Sequence, residues 1–273
     1  MALRIDGLNC EGRIMQRISM GGVCWRRPTR LAVAAATVAA ALLSASEISA
    51  QDRQARDISG IWWSIAYSPK LEIQGGGDIP YNDKGKAQYA KNAAGLKDGS
   101  IKDEARYHCL PDGVPRILGN PYPFKIVQTP GQTTFLYELN AVLRVVLMDT
   151  PQLPPDEIGI LPYYSGHSIG HWDADTLVVE AGGFNVKTFL DATGAPHSDQ
   201  MSTVERIRKI NGGKQLEDVV TVTDPVMLTK PFSARFVYAP HPETSLEDYV
   251  CGEPHRDISR IPGVSEARRA RGP

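Results

Sequence analysis

The chain is poor in the features that most directly announce a mechanism. It has 4 cysteines in 273 residues and no C-x-x-C pair, so a thiolate clasp for a metal is disfavoured. It has neither a G-x-G-x-x-G nor a P-loop sequence, which disfavours nucleotide cofactors. It has no excess of either charge: 30 Lys+Arg stand against 31 Asp+Glu, for a net charge of -1. That balance argues against a nucleic-acid partner. Beyond the first fifty residues there is no apolar run long enough to cross a bilayer. What is present, 42% apolar and 22% charged residues, excludes a disordered chain, a collagen and a coiled coil.

The first fifty residues read as an address. Arg26, Arg27 and Arg30 precede an apolar run at 31–43 (LAVAAATVAAALL), and small residues lead to Ala50. This is the layout of a cleaved signal peptide over 1–50, with a periplasmic or secreted destination. The run is short for an N-terminal anchor, the alternative reading. Thr29 and Arg30 stand where a twin-arginine signal carries bulky apolar residues, and Met15 or Met20 are alternative starts. Cys10 and Cys24 leave with the leader. Cys109 and Cys251 remain, an even pair bound for an oxidising compartment. A disulfide between them is predicted, closing a loop of about 140 residues and worth roughly 4–5 kcal/mol in the chain-entropy picture.

The rest, 51–273, is long enough for one large core. The stretch 59–67 (SGIWWSIAY) is β-branched and aromatic and predicts a first strand. The segment 83–94 is the one helical pattern, with Asn82 or Asp83 as N-cap and Gly95 as stop. Strand signals follow at 124–128, 133–139, 142–148, 167–172, 176–180, 201–210, 215–222, 232–238 and 247–251. Turn residues such as Pro130-Gly131 and Asn211-Gly212-Gly213 separate several of them. About ten strands with one short helix predict an all-β fold, an antiparallel barrel over 51–260 or, alternatively, a β-sandwich. The stretch 261–273 is predicted to be a disordered tail. In 201–210, Glu205 shares a face with Met201, Thr203 and Ile207, opposite Arg206 and Arg208, so it is predicted to point inward.

Two resemblances enter here. Gly60-Ile61-Trp62, at the head of the first strand, resembles the G-x-W signature of lipocalins and other calycin barrels. That likeness implies an up-and-down barrel holding a small apolar ligand. The segments CLPDGVPRILGNPYPFKIVQ, GHSIGHWDADTLVVEAGGFN, PHSDQMSTVERIRKI and EDYVCGEPHRD resemble a widespread group of exported bacterial β-rich proteins whose activity is not established. The likeness spans 57–257, implies export and a single β-rich domain, and transfers no mechanism.

The histidines are the main functional clue. His167, His171 and His197 stand near Asp191, Asp199 and Glu205 in sequence. Gly166 and Gly170 oppose a helix that would stack His167 on His171. On a strand the two share a face but lie about 13 Å apart at roughly 3.3 Å per residue. That is far for one ion with ligand distances of about 2 Å, so a His-ligated metal enzyme is the lesser alternative and no metal or cofactor is expected. Gly166-His167-Ser168-Ile169-Gly170 matches G-x-S-x-G but lacks the helix a nucleophile elbow needs. The reading favoured by a narrow margin is a cofactor-free lyase or isomerase of a small, partly apolar molecule. His167, His171 and His197 supply acid–base groups, Glu205 orients them, and Tyr164 is an oxyanion donor. Trp62, Trp63, Tyr163, Trp172 and Phe184 form the substrate wall, and Arg116 holds a ligand carboxylate or bridges to a structural one. The alternative is a barrel that binds a small molecule without turnover.

Overall fold

The computed structural model describes residues 53–151, 163–249 and 251. The predicted signal peptide and tail lie outside them. Nine strands close into a barrel in sequence order. They are β1 (Gly60–Ser64), β2 (Phe124–Thr129), β3 (Gln132–Tyr137), β4 (Val142–Met148), β5 (His167–Asp173), β6 (Thr176–Gly182), β7 (Ser202–Ile210), β8 (Gln215–Thr223) and β9 (Phe232–Pro240). The architecture is thus the barrel and not the sandwich. β1 completes the circle, with β2 on one side and β9 on the other. That pairing uses up the free edge of β9, and among the described residues of the expected strand at 247–251 no strand forms: 244–249 is irregular.

One join departs from the antiparallel expectation. Strands that alternate in direction around a closed cylinder must be even in number, so nine strands require one parallel pair. It falls between β4 and β5, where only Val146, Leu147 and Met148 pair with Ser168, Ile169 and Gly170. A parallel join needs a long crossover in place of a hairpin, and the connection occupies 149–166. The other joins are antiparallel.

Helix α1 (Asp83–Asp98) begins as expected, with the Asn82 side chain accepting from the Gly85 amide at 3.0 Å. It runs past Gly95, because that glycine packs under Ile101, whose Cγ1 lies 2.5 Å from where a Cβ would stand. Gly99, at φ +80°, ends the helix in the left-handed conformation. A second short helix, α2 (Glu104–Tyr107), precedes β2. No helix among the described residues is long and apolar enough to cross a membrane.

Register and burial define the inner face. Aromatic rings occupy part of the lumen: Phe124 meets Tyr238 edge-on at 4.8 Å and Tyr137 at 5.3 Å. Trp62 of the G-x-W sequence is buried and donates from its indole to the Ile58 carbonyl at 2.9 Å. A barrel this narrow is filled by its own side chains. Cys109 and Cys251 lie at bonding distance, with Cα atoms 5.7 Å apart and a separation of 142 in sequence.

Candidate functional site: a cleft at the parallel join

The short parallel join leaves the first half of β4 without a β5 partner. Residues 142–145 pair with β3 on their other side, whereas β5 reaches β4 only at Val146. The chain entering β5 turns away through Tyr163–Gly166, tied by the Tyr163–Phe184 bridge. A cleft of about 860 Å³ opens in the gap. Its walls are largely apolar and include Leu143, Val145, Leu147, Tyr163, Tyr164 and Ile169. Leu143 and Leu147 are 60% and 44% exposed, a high exposure for leucines. Its floor holds Ser165, Ser168 and Arg144.

Arg144 links the floor to the lumen. Its side chain is 1% exposed, and it donates from Nη1 and Nη2 to Glu205 Oε2 and Oε1 at 2.8 and 2.6 Å. Its Nε donates to Ser168 Oγ at 3.1 Å, and the guanidinium lies 5.8 Å from the Phe135 ring centre. Asp218 stands against the same pair. Burial, reinforced by the neighbouring Glu205 charge, pushes its carboxyl well above the usual range, so it is held neutral. Asp218 Oδ1 and the Thr203 hydroxyl are buried without hydrogen-bond partners among the described residues, and the Tyr137 hydroxyl stands against Arg144. A buried bidentate ion pair beside a neutral acid is a costly arrangement, of the kind that marks a place to look for a site.

The glycines of the G-x-S-x-G sequence have packing reasons. Gly166 sits at φ +67°, and a Cβ there would stand 2.9 Å from the Phe184 ring. Gly170 faces the lumen, where a Cβ would stand 2.8 Å from Val146 Cγ1. Ser168 between them is an inward strand residue bonded to Arg144, and a strand, not a helix, surrounds it. No nucleophile elbow is formed.

The residues singled out from sequence are dispersed. Glu205 points inward as expected and is fully buried, but its partner is Arg144 and not a histidine. His171 is exposed on the outer face of β5, because the register turns Ser168 and Gly170 inward. His167 shares that outer face, lines the cleft and meets the Tyr163 ring edge-on at 4.3 Å. His197 is buried in the loop before β7. Its Nδ1–H donates to the Ser198 carbonyl at 2.9 Å, and its Nε2 accepts from Thr188 at 2.7 Å. Burial lowers its pKa, which suits a neutral structural ring. Tyr163 and Tyr164 line the cleft.

The expected aromatic wall does not assemble. Trp62 is in the lumen, Trp63 is outside against His241 at 5.4 Å, and Trp172 packs at the edge of the core. Phe184 is buried beside His197. Arg116 takes its structural alternative, donating to both Asp103 oxygens at 3.0 and 2.8 Å and to Asp112 at 3.1 Å. No cluster of three or more His, Cys, Asp or Glu suited to a metal occurs among the described residues.

Sequence reasoning missed Arg144 and Asp218. Asp218 had a usable signal, since it shares parity with Leu216, Val220 and Val222 in β8. Arg144 had little, because β4 (VLRVVLM) is apolar on both faces. The fold and site together define an all-β, nine-stranded closed barrel with a cleft at its parallel join. Comparison with protein-family models, with curated proteins and with solved structures finds no match.

Proposed function

We propose that this protein binds a small, largely apolar organic molecule in the cleft between β4 and β5, and does so after export. The observation that carries the reading is the cleft itself: about 860 Å³, apolar walls, and a floor of few polar groups backed by a buried ion pair. Sites for small molecules have this size and this ratio of apolar wall to polar anchor. Export is supported by the leader pattern at 1–50 and by the Cys109–Cys251 disulfide, since such bonds persist in oxidising compartments. The test is a fluorescence titration with the neutral apolar dye Nile red. Leu143→Glu with Leu147→Glu should abolish dye binding without lowering the unfolding midpoint, because both side chains are already exposed. Undiminished dye binding by that double variant would refute the reading.

A second reading, turnover of the bound molecule by a lyase or isomerase, is supported by His167 and Tyr164, which line the same cleft. In it His167 moves a proton at carbon and Tyr164 donates to the developing oxyanion. Exchange of α-protons of a bound ketone in deuterated water, followed by mass spectrometry, tests it. His167→Ala should stop the exchange and His171→Ala should not. No exchange above the solvent rate in the unmutated protein would remove this reading and leave binding.

A further inference from the structure

We propose that the occupant of the cleft is uncharged, an apolar molecule whose oxygen accepts hydrogen bonds from Ser165 and Ser168, and not a carboxylate. This rests on the binding reading above and specifies its ligand class.

Two hydroxyls stand at the floor, Ser165 without a partner among the described residues and Ser168 bonded to Arg144. Ser165 is 8% exposed, lines the cleft, and its Oγ has no hydrogen-bond partner among the described residues. A buried donor without a partner favours any ligand group that satisfies it. Ser168 Oγ accepts from Arg144 Nε, and a hydroxyl that accepts one bond still has its proton to donate. Both hydroxyls therefore offer protons, and a ketone, ester or amide oxygen is the complementary group.

The charge at the floor excludes the anionic alternative. Arg144 looks like a carboxylate receptor, but Glu205 already takes both of its terminal nitrogens. A ligand carboxylate reaching Arg144 would share a buried space with the Glu205 carboxylate, which already answers that guanidinium. An anion taken from water into such a place loses hydration that nothing there replaces unless it is paired. Tyr163, Tyr164 and the aliphatic wall accommodate a chain or ring of about the same polarity as lipid or aromatic solutes.

A matched pair of probes tests this by isothermal titration of the mature protein at pH 8: 2-nonanone and nonanoate, equal in chain length and different in head group. The ketone should bind at least tenfold more tightly than the acid anion. Ser165→Ala, which removes a hydroxyl without a hydrogen-bond partner among the described residues, should weaken the ketone two- to tenfold, the range for one net hydrogen bond. Nonanoate binding as tightly as the ketone, or a ketone affinity insensitive to Ser165→Ala, would overturn the proposal while the cleft reading stands. Failure of Nile red and both probes to bind would overturn the cleft reading as well.

Discussion

Glu205→Gln probes the buried charges directly. The change keeps the side-chain volume and removes the carboxylate that answers Arg144. An unanswered guanidinium in the lumen would cost roughly 3–5 kcal/mol, a large share of the roughly 5–15 kcal/mol that holds a domain together. Asp218, however, stands against the same pair and is held neutral by burial and by the Glu205 charge. Remove that charge, and Arg144 attracts Asp218 without opposition, so Asp218 ionises and becomes the counter-ion. The loss for Glu205→Gln is then limited to its charged hydrogen bonds, roughly 1.5–3 kcal/mol, and it shrinks as pH rises and Asp218 releases its proton. Glu205→Gln combined with Asp218→Asn leaves no carboxylate, and the full loss of about 3–5 kcal/mol should appear. Urea unfolding of the unmutated protein, both single variants and the double variant, at pH 5 and pH 8, measures each value by linear extrapolation. A double variant no less stable than Glu205→Gln alone, or a Glu205→Gln loss identical at the two pH values, would refute the reasoning.

Three further outcomes are expected. Asp218 binds its proton more tightly folded than unfolded, so its contribution is whole below about pH 4 and is lost as pH rises through its folded value. Asp218→Asn should remove that slope, about 1.4 kcal/mol per pH unit across the window, and unfolding curves from pH 4 to pH 8 that run parallel for the two proteins would contradict it. Cys109→Ala with Cys251→Ala opens a link spanning 142 positions and should cost ~5 kcal/mol in the chain-entropy picture; an unchanged denaturation midpoint would argue that the unfolded chain is already compact. Gly170→Ala sets a Cβ 2.8 Å from Val146 Cγ1 and should destabilise by about 1–3 kcal/mol through overpacking, checked by thermal melting; a melting temperature equal to the unmutated protein would show that the join relaxes freely.

The barrel was legible because strand signals in this chain are short, frequent and bounded by turn residues. Glu205 was legible as inward because Arg206 and Arg208 mark the opposite face of β7 as solvated, although Val204 on that face makes the alternation imperfect. Arg144 was not, because a strand apolar on both faces gives no parity to read. The shared face of His167 and His171 was readable from spacing, but which face it is depends on pairing with β6, which local sequence does not carry. The cleft was hidden for a related reason. It exists because of the parallel join, and the join follows from the count of all nine strands and not from any one of them.

The barrel is unevenly bound along its circumference. β7 and β8 share nine residue pairs, whereas β4 and β5 share three, as does β1 with each neighbour. A hoop is as strong as its shortest splice. At the β4–β5 splice the side chains reinforce the backbone: Arg144 of β4 reaches across to Ser168 of β5 and over the lumen to Glu205 of β7. It acts as a spoke fixed at three points on the rim. Amide hydrogens should accordingly exchange slowest along β7–β8 and faster at the splices, and loosening the spoke should quicken exchange at β4–β5 while leaving β1 as it was.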